Sequence, residues 1–259
     1  HDLPKRTYKY LPNLSHLSVN APKSSHVKFP ETLIYLRLYG VLEYRLEKLK
    51  LHEGLLHLSL GEYNDDIIDD SLPASLEELE IESGLGDGDI NKNALKKLKM
   101  LKLDFWYDYS VKILPKTLET IILGGMREEI SISFPPNVKY INLYESGYNW
   151  TIGSFPDNLK EYRCAGVTTL NCGFPNSLEK IWLVCDKLDR IINIPNKVTE
   201  LAISENCIRY IKVNHTLKKL KLLQQSEEET DISYAPIKNI PCEIIETNVK
   251  KMPKLKYNL

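Results

Sequence analysis

The sequence predicts a repeat solenoid, mainly β, whose short strands form one parallel sheet. Three observations predict it. One apolar frame recurs through most of the 259 residues, seven copies of the frame begin at a proline, and successive copies follow each other at about 20 residues. A unit this short cannot bury its own apolar face, but stacked units share a continuous core.

The frame is a proline followed by apolar residues at the third, sixth and eighth positions after it. Pro30 begins one copy, with Leu33, Leu36 and Leu38 as the apolar residues. Six further copies begin at Pro73, Pro115, Pro135, Pro156, Pro175 and Pro195. From Pro115 to Pro195 the spacings are 20, 21, 19 and 20 residues (135−115, 156−135, 175−156, 195−175). This regularity argues against chance periodicity in a Leu-rich β protein.

Four more copies keep the apolar frame without the proline. They are Leu14/Leu17/Val19, Leu55/Leu58/Leu60, Leu98/Leu101/Leu103 and Leu217/Leu220/Leu222. The alternative register Leu95/Leu98/Met100 fits almost as well as the third of these and stays open. We therefore predict a single domain over residues 1–259, with about eleven repeats at 11–225, an N-terminal cap at 1–10 and a C-terminal cap at 226–259.

Most copies end in an apolar, polar, apolar alternation, which is typical of a short strand with one buried face. The fixed φ of the proline, and its missing N–H, suit the turn into that strand. After the strand, each copy reaches a second apolar group, such as Ile130/Ile132/Phe134, which is predicted to form the rear wall of the core. About twenty residues leave no room for a long helix, so extended or 3₁₀ segments are expected on the convex side.

The frame resembles the leucine-rich-repeat superfamily, in particular its Leu-Pro-x-x-Leu-x-x-Leu-x-Leu variants, over residues 11–225. One similar group is the FNIP-type and related repeats of protists and fungi, often joined to F-box or kinase domains. The other is the repeat domain of bacterial effector ubiquitin ligases. The resemblance implies a horseshoe whose concave parallel sheet binds another macromolecule. It also implies a turn-capping Asn three residues after the last strand apolar, and Asn206 alone fits. The other turns must therefore satisfy their backbone groups differently.

The polar positions of each strand predict the binding surface. Side chains alternate across a strand, so the residues flanking the middle and last apolar positions point away from the core. Aromatic residues and Arg, which anchor protein interfaces, are frequent there. The candidate partner-binding residues are Tyr35, Arg37, Tyr39, Ile122, Tyr140, Asn142, Tyr144, Arg163, Lys180 and Trp182. Ile122, Tyr140, Tyr144 and Trp182 are expected to form an exposed patch around Arg163. The alternative is that these aromatic residues simply favour strands and pair with their neighbours.

Acidic and basic residues are grouped separately along the same strand positions. Glu78, Glu80 and Glu82 form an acidic stripe, and Lys219 and Lys221 lie at the far end of the repeats. A solvated face that keeps the sheet soluble is the simpler interpretation of the stripe. Over the whole chain, 34 Lys and Arg against 35 Asp and Glu argue against specific nucleic-acid binding, which needs a basic surface.

Further sequence patterns bear on the cellular location of the protein. No run of about 18 apolar residues is present, so no membrane span is predicted. The five cysteines include no CxxC pair, and Cys164, Cys185 and Cys207 follow each other at repeat-length intervals, where Cys is a small apolar filler. Their odd number favours a reducing, intracellular environment such as the cytoplasm. Three glycosylation triplets, at Asn13, Asn149 and Asn214, support secretion weakly.

No pattern of catalytic or cofactor chemistry stands out. The histidines show no H-E-x-x-H spacing, and neither a G-x-S-x-G elbow nor a phosphate-binding loop is present. We expect no enzyme activity, no cofactor and no metal site. The sequence thus favours a protein-interaction module that binds a protein partner on its concave sheet. The resemblance suggests the substrate-recognition arm of a ubiquitin ligase, and the alternative is an extracellular ligand-sensing receptor ectodomain.

Overall fold

The chain divides into two compact units, residues 1–127 and residues 128–259. They are called unit 1 and unit 2. The structure is a computed structural model, and it describes residues 11–23, 27–63, 65, 67, 71–83, 96–104, 114–124, 130–144, 150–165, 168–170, 172–185, 188, 190–212, 216–223 and 243–247.

Unit 1 contributes six described strands, which pair in parallel in chain order. They are β1 (His16–Asn20), β2 (Tyr35–Val41), β3 (His57–Glu62), β4 (Glu78–Ser83), β5 (Met100–Asp104) and β6 (Thr120–Gly124). A 3₁₀ helix at Leu46–Leu49 lies between β2 and β3 and ends at Lys50, whose φ of 50° is left-handed.

Unit 2 also has parallel strands that pair in chain order, and additional strands lie between them in the sequence. Its described strands are β7 (Ile130–Ser133), β8 (Tyr140–Tyr144), β9 (Trp150–Ser154), β10 (Glu161–Ala165), β11 (Thr168–Leu170), β12 (Lys180–Val184), β13 (Ile192–Asn193), β14 (Glu200–Ser204), β15 (Ile211–Lys212), β16 (Lys219–Leu223) and β17 (Glu243–Thr247). The even-numbered strands and β17 pair in parallel in the order β8-β10-β12-β14-β16-β17. The others form two small parallel sheets, β7-β9-β11 and β13-β15, and a 3₁₀ helix occupies Glu205–Tyr210.

The predicted fold class is therefore confirmed. Each repeat supplies one strand to a parallel array, and extended or 3₁₀ segments connect the strands. Within the described ranges the two 3₁₀ helices have four and six residues, and no helix is long and apolar enough to cross a membrane.

The pairing register confirms the apolar frame. In unit 1 the middle apolar residues align, as Leu36 with Leu58, Leu58 with Leu79, and Leu79 with Leu101. In unit 2, Tyr162 aligns with Ile141 on one side and with Ile181 on the other. The alignment of Leu101 decides the ambiguous fifth copy, because it places Leu98, Leu101 and Leu103 in the frame and Met100 on the opposite face.

The frame residues form the core of each unit. Leu36, Leu79 and Ile121 in unit 1 are fully buried, as are Ile141 and Tyr162 in unit 2. Burying such side chains contributes about 1.5–3 kcal/mol each relative to exposure.

Part of the rear wall of unit 2 is an aromatic stack. Phe155 lies between Phe134 and Phe174, with ring centroids 6.4 and 5.4 Å away, and Tyr162 meets Phe155 edge-on at 4.9 Å. In these repeats the second apolar group therefore completes the core, as the sequence predicted, whereas Ile191 of a later repeat is 56% exposed.

The turn into each strand begins at the repeated proline. The N–H of the first frame leucine donates to the proline carbonyl three residues earlier, at 3.2 Å for Leu33 and Pro30 and at 3.0 Å for Leu76 and Pro73. The carbonyl after that leucine then accepts two N–H groups of the next repeat. Ile34, for example, accepts from Leu56 and His57, both at 3.0 Å. These repeated bonds fix the register before each strand starts.

Hydroxyl groups perform part of the role of the missing asparagine ladder. The residue before the first frame leucine is Thr32, Ser75 or Ser177 in three repeats. Each hydroxyl donates to the carbonyl of the first leucine of an earlier repeat, at 2.7–2.8 Å. Side chains therefore tie neighbouring repeats together ahead of the strand rather than behind it.

The predicted caps are described in part. Within 226–259 the described residues form β17, which pairs in parallel with β16. This part of the cap therefore adds a further strand. The N-terminal cap at 1–10 lies outside the described residues.

Candidate binding face of the parallel strands

The polar positions of the strands form three rows in each unit, and these rows are called the polar face. Row one precedes the middle apolar residue, row two follows it, and row three follows the last apolar residue. The pairing register brings members of a row side by side, as in Glu161 next to Lys180 and Arg163 next to Trp182. Adjacent strands lie about 4.8 Å apart, so neighbours in a row contact each other.

Row one of unit 1 contains a ladder of rings. His16 stacks on Tyr35 with centroids 5.8 Å apart, and Tyr35 lies 6.3 Å from His57. Burial raises the pKa of Tyr35, and this outweighs the opposing effect of Arg37. Tyr35 thus pairs with its neighbours along row one.

A bulge at the end of β2 changes row three of unit 1. The register shifts between Leu38 and Val41, and Gly40 adopts a φ of 77°. The segment leaves Tyr39 and Val41 41% and 48% exposed. The guanidinium of Arg37 lies 4.8 Å from the centre of the Tyr39 ring. Tyr39 is therefore exposed, and the half-buried guanidinium of Arg37 lies against its ring.

Each glutamate of the acidic stripe lies beside a nitrogen atom of another side chain in unit 1. The pairs are His57 Nδ1 with Glu78 Oε2 at 2.8 Å, Lys102 Nζ with Glu80 Oε2 at 3.9 Å, and Arg37 with Glu82. Glu82 raises the pKa of Arg37 although burial opposes this change. Lys102 and Arg37 thus partly neutralise the stripe within the unit.

Row one of unit 2 alternates in charge. From β10 to β16 it reads Glu161, Lys180, Glu200 and Lys219, and Lys180 Nζ lies 3.4 Å from Glu200 Oε2. Two acidic and two basic residues cancel, so this row carries no net charge between these strands.

Row two of unit 2 is centred on Trp182. The guanidinium of Arg163 lies 5.4 Å from the centre of the Trp182 ring and 5.9 Å from that of Tyr140. Lys221 Nζ lies 5.8 Å from the Trp182 ring. Ala202, which is small and buried, separates Trp182 from Lys221 in the register and leaves room for the lysine to bend over the indole. Two cations therefore flank one tryptophan.

Arg163 is held in place by its own strand. Its Nε and a terminal nitrogen both lie 2.5 Å from Glu161 Oε1, two residues earlier. Side chains two apart on a strand share a face, so this pair forms within β10 alone. The side chains of Arg163 and Glu161 are 19% and 22% exposed, so the contact is partly shielded from water.

Two polar atoms of row two have unmet hydrogen-bonding capacity. Trp182 Nε1 and Asn142 Oδ1 are buried, and neither has a hydrogen-bond partner among the residues that the structure describes. A buried polar group left unsatisfied costs about 1–3 kcal/mol. Each such group calls for an explanation, and a ligand that satisfies it on binding is one. We call Tyr140, Asn142, Glu161, Arg163, Trp182 and Lys221 the Trp182 cluster.

The structure corrects the predicted surface in two places. Ile122, in unit 1, is 2% exposed, so the prediction that it lies in an exposed patch is wrong. Asn142 is 7% exposed and equally covered. Long side chains in a row cover shorter neighbours on strands so close together, and Lys102 is the register neighbour of Ile122. Tyr140, Tyr144, Arg163 and Trp182 are half-buried in unit 2, and Lys180 is exposed.

Two members of the Trp182 cluster were absent from the predicted site. Glu161 lies two residues from Arg163, and Lys221 shares row two with Trp182 two strands away. Both follow from the repeat frame once the residues are arranged by row. Ser204, in row three, is fully buried, and its hydroxyl oxygen accepts the N–H of Cys185 at 2.9 Å.

The fold of both units is that of a leucine-rich-repeat solenoid, and comparison with solved structures agrees. The chain is similar to CroV588, described as a novel circular leucine-rich-repeat protein structure, with a TM-score of 0.62 and 18% identity. The match covers 94% of this chain and 40% of CroV588, so this chain spans less than half the length of that protein.

A second similar structure is YopM from Yersinia enterocolitica WA-314, with a TM-score of 0.45 and 16% identity. That match covers 83% of this chain and 56% of YopM. No family model and no curated protein matches the chain.

Proposed function

We propose that this chain is a protein-interaction module that binds an acidic segment of a protein partner on the polar face of unit 2. The observation that carries the proposal is the position of Trp182 between Arg163 and Lys221, with its indole N–H buried and unpaired among the described residues. Trp, Tyr and Arg are the residue types that dominate binding energy at protein interfaces. Binding, rather than catalysis, is the role that such a set of side chains supports.

The charge of unit 2 favours an acidic partner. Row one sums to zero from Glu161 to Lys219, whereas row two adds Arg163 and Lys221 without an acidic residue. From β10 to β16 the two rows carry an excess of two positive charges, and Glu243 of β17, the register neighbour of Lys219, reduces the excess of the described rows to one. A carboxylate of the partner gains from both cations, and complementary charge also speeds association.

The cluster must open to bind. Trp182 Nε1 is buried although the ring is half-exposed, and two long cationic side chains lie beside the ring. Lys221 is flexible, so it can swing outward to pair with a partner carboxylate. The indole N–H then becomes available to a carbonyl or carboxylate oxygen. Binding thus satisfies a group that the described part of the isolated chain leaves unpaired.

A peptide-display selection tests the proposal. Random peptides are selected against the wild-type chain, and the selected peptides are sequenced and titrated against variants. We expect enrichment of Asp and Glu next to an apolar residue, and affinity that falls as salt rises. Trp182→Ala should lower the affinity for these peptides at least about 30-fold, which corresponds to about 2 kcal/mol for a residue at the centre of an interface.

A matched lysine pair controls for general charge. Lys221→Ala removes one positive charge at the cluster, and Lys197→Ala removes one from an exposed turn of the same unit. We expect Lys221→Ala to weaken binding and Lys197→Ala to leave it unchanged. Selected peptides without acidic residues, or equal loss in both lysine variants, would contradict the proposed partner chemistry. Unchanged binding by Trp182→Ala would remove the site.

The substrate-recognition arm of an intracellular ubiquitin ligase is one specific form of this proposal. It is supported by the resemblance of the frame to repeats that are joined to F-box domains or to bacterial ligases. Co-purification of ligase subunits with the full-length protein, and loss of ubiquitination of the bound partner in Trp182→Ala, would support it. Absence of any ligase subunit would contradict this form and leave the binding site intact.

An extracellular ligand-sensing receptor ectodomain is the second candidate function. It is supported by the triplet at Asn13, whose side chain is exposed in the turn before β1. Expression through a secretory pathway, followed by glycosidase treatment and mass spectrometry, tests it. A glycan on Asn13 in the folded protein favours this function, and full secretion with an unmodified Asn13 counts against it.

A further inference from the structure

Cys185 and Cys207 face each other inside unit 2. Their sulfur atoms lie 3.4 Å apart, and the side chains are 3% and 0% exposed. Cys185 follows β12, and Cys207 lies in the 3₁₀ helix at 205–210 of the next repeat. The sulfur of Cys207 also lies 3.4 Å from the carbonyl oxygen of Cys185. The two thiols thus meet across the boundary between adjacent repeats.

We propose that Cys185 and Cys207 form a site of reversible covalent modification, an intramolecular disulfide made by a small peroxide oxidant. The distance carries the proposal, because two sulfur atoms in van der Waals contact need a closure of little more than 1 Å to reach the length of an S–S bond, about 2.05 Å. The proposed bond therefore requires rotation of the two cysteine side chains by a movement of this size.

The local structure holds the pair in place. The N–H of Cys185 donates to Ser204 Oγ at 2.9 Å, which ties the segment after β12 to the end of β14. Cys207 lies only three residues after Ser204, in a 3₁₀ helix whose first residue is Glu205. Both thiols are therefore anchored by the same short connection. The other two described cysteines are placed differently: Cys164 is buried in β10, and Cys172 contacts the carbonyl of Ile152 at 3.7 Å.

The chemistry balances with hydrogen peroxide as the oxidant. One thiolate attacks peroxide oxygen, the O–O bond breaks, and a sulfenic acid and water form after protonation. The second thiolate attacks the sulfenic sulfur, the S–O bond breaks, and the departing hydroxide takes a proton to give a second water. Two thiols are oxidised to one disulfide and one peroxide is reduced to two waters. A dithiol reductant reverses the step by exchange.

The position of the pair gives the disulfide a structural consequence. Cys185 lies three residues after Trp182 on the same chain segment, and Cys207 belongs to the next repeat. A bond between residues 22 apart restricts the unfolded chain and so stabilises the folded state. Oxidation should therefore raise the thermal midpoint of unit 2, and reduction should lower it again.

Peptide mapping of the wild-type chain tests the site directly. The folded protein is treated with hydrogen peroxide, remaining thiols are alkylated, and the digest is analysed by mass spectrometry. We expect one cross-linked peptide pair containing Cys185 and Cys207, two hydrogen atoms lighter than the sum of the reduced peptides. A dithiol reductant added before alkylation should abolish the cross-linked pair.

Variants and thermal melts complete the experiment. Cys185→Ser and Cys207→Ser should each prevent the cross-link and the rise in thermal midpoint, and Cys172→Ser should retain both. Separate oxidation of Cys185 and Cys207, a bond from either to another cysteine, or thiols that stay unmodified until the protein unfolds would overturn the proposal. The wild-type map decides the outcome even if a serine variant fails to fold.

Discussion

The backbone of Gly61 passes so close to that of Gly40 that no room is left for a side chain on Gly61. A Cβ atom there would lie 2.7 Å from the Gly40 nitrogen and 2.8 Å from its carbonyl oxygen. Gly40 itself has a φ of 77°, in the left-handed region that favours glycine. This pair of glycines permits the bulge of β2 against β3, and the bulge in turn leaves Tyr39 exposed.

Gly61→Ala should therefore destabilise unit 1 by about 1–3 kcal/mol, the usual cost of forcing extra atoms into a packed site. Chemical denaturation monitored by circular dichroism measures the free energy of unfolding. Gly153→Ala is the matched control, because a Cβ atom at Gly153 would have no other described atom within 4 Å beyond its chain neighbours. It should leave stability unchanged or raise it by less than about 1 kcal/mol. Equal effects at the two glycines would show that the close approach to Gly40 is not what constrains β3.

The regular part of the fold could be predicted because one frame fixes many residues at once. Leu36, Leu79 and Ile121 follow from spacing alone, and the structure buries all three. The bulge at Gly40 could not be predicted, since it shifts the register after the last frame residue of β2 and leaves the apolar frame itself unchanged. Nor could the hydroxyl bonds of Ser75 and Ser177, although the residue type before the first leucine is visible as a pattern.

The positions of the candidate-site residues on the polar face could be predicted, but the exposure of their side chains could not. The frame placed Arg163 and Trp182 on the polar face, where the structure also places them. Exposure depends on the size of neighbours in a row, which differs at every strand. Ile122 was predicted as exposed for this reason and is buried. Lys221 joins the cluster because Ala202 is small, a relation between strands that no single repeat contains.

The hydroxyl bonds between repeats give a second prediction. Ser177 Oγ donates to the carbonyl of Leu159 at 2.7 Å and is half-buried. Ser177→Ala should cost about 1 kcal/mol, the net contribution of one hydrogen bond. Ser154→Ala, at an exposed position of β9, should change stability by less than about 0.5 kcal/mol. Denaturant titration of both variants measures the difference, and an equal midpoint in the two variants would contradict this role.

Tyr63 makes stability depend on alkaline pH. Burial raises the pKa of Tyr63 to about 12, and its hydroxyl oxygen accepts the N–H of Leu46 at 3.3 Å. A folded pKa above the unfolded value of 10.0 means that the stabilisation is fully present below pH 10 and is lost as pH rises towards 12. Thermal midpoints of the wild type should fall over this window.

Tyr63→Phe separates this effect from others. The free energy of unfolding of the variant should be about 1–3 kcal/mol lower than that of the wild type near neutral pH, because the buried N–H of Leu46 loses its acceptor. Its stability should then fall less between pH 10 and 12 than that of the wild type. Some fall remains, since burial also raises the pKa of Tyr44 to about 12. An alkaline fall of the same size in wild type and variant would show that Tyr63 is not responsible.

The last prediction compares an exposed ion pair with the core residue beside it. Lys160 Nζ lies 2.7 Å from Glu179 Oε1, and this bond holds the pKa of Glu179 below its usual range. Both side chains are about half exposed, so water and salt screen the pair, and Lys160→Ala should cost less than about 1 kcal/mol. Leu159 is fully buried, so Leu159→Ala should cost about 2–5 kcal/mol through lost burial and a cavity. The free energy of unfolding is measured at low and at high salt. High salt should reduce the small effect of Lys160→Ala and leave the effect of Leu159→Ala unchanged. A larger loss from the lysine than from the leucine would mean that ion pairs between repeats, rather than the frame leucines, stabilise unit 2.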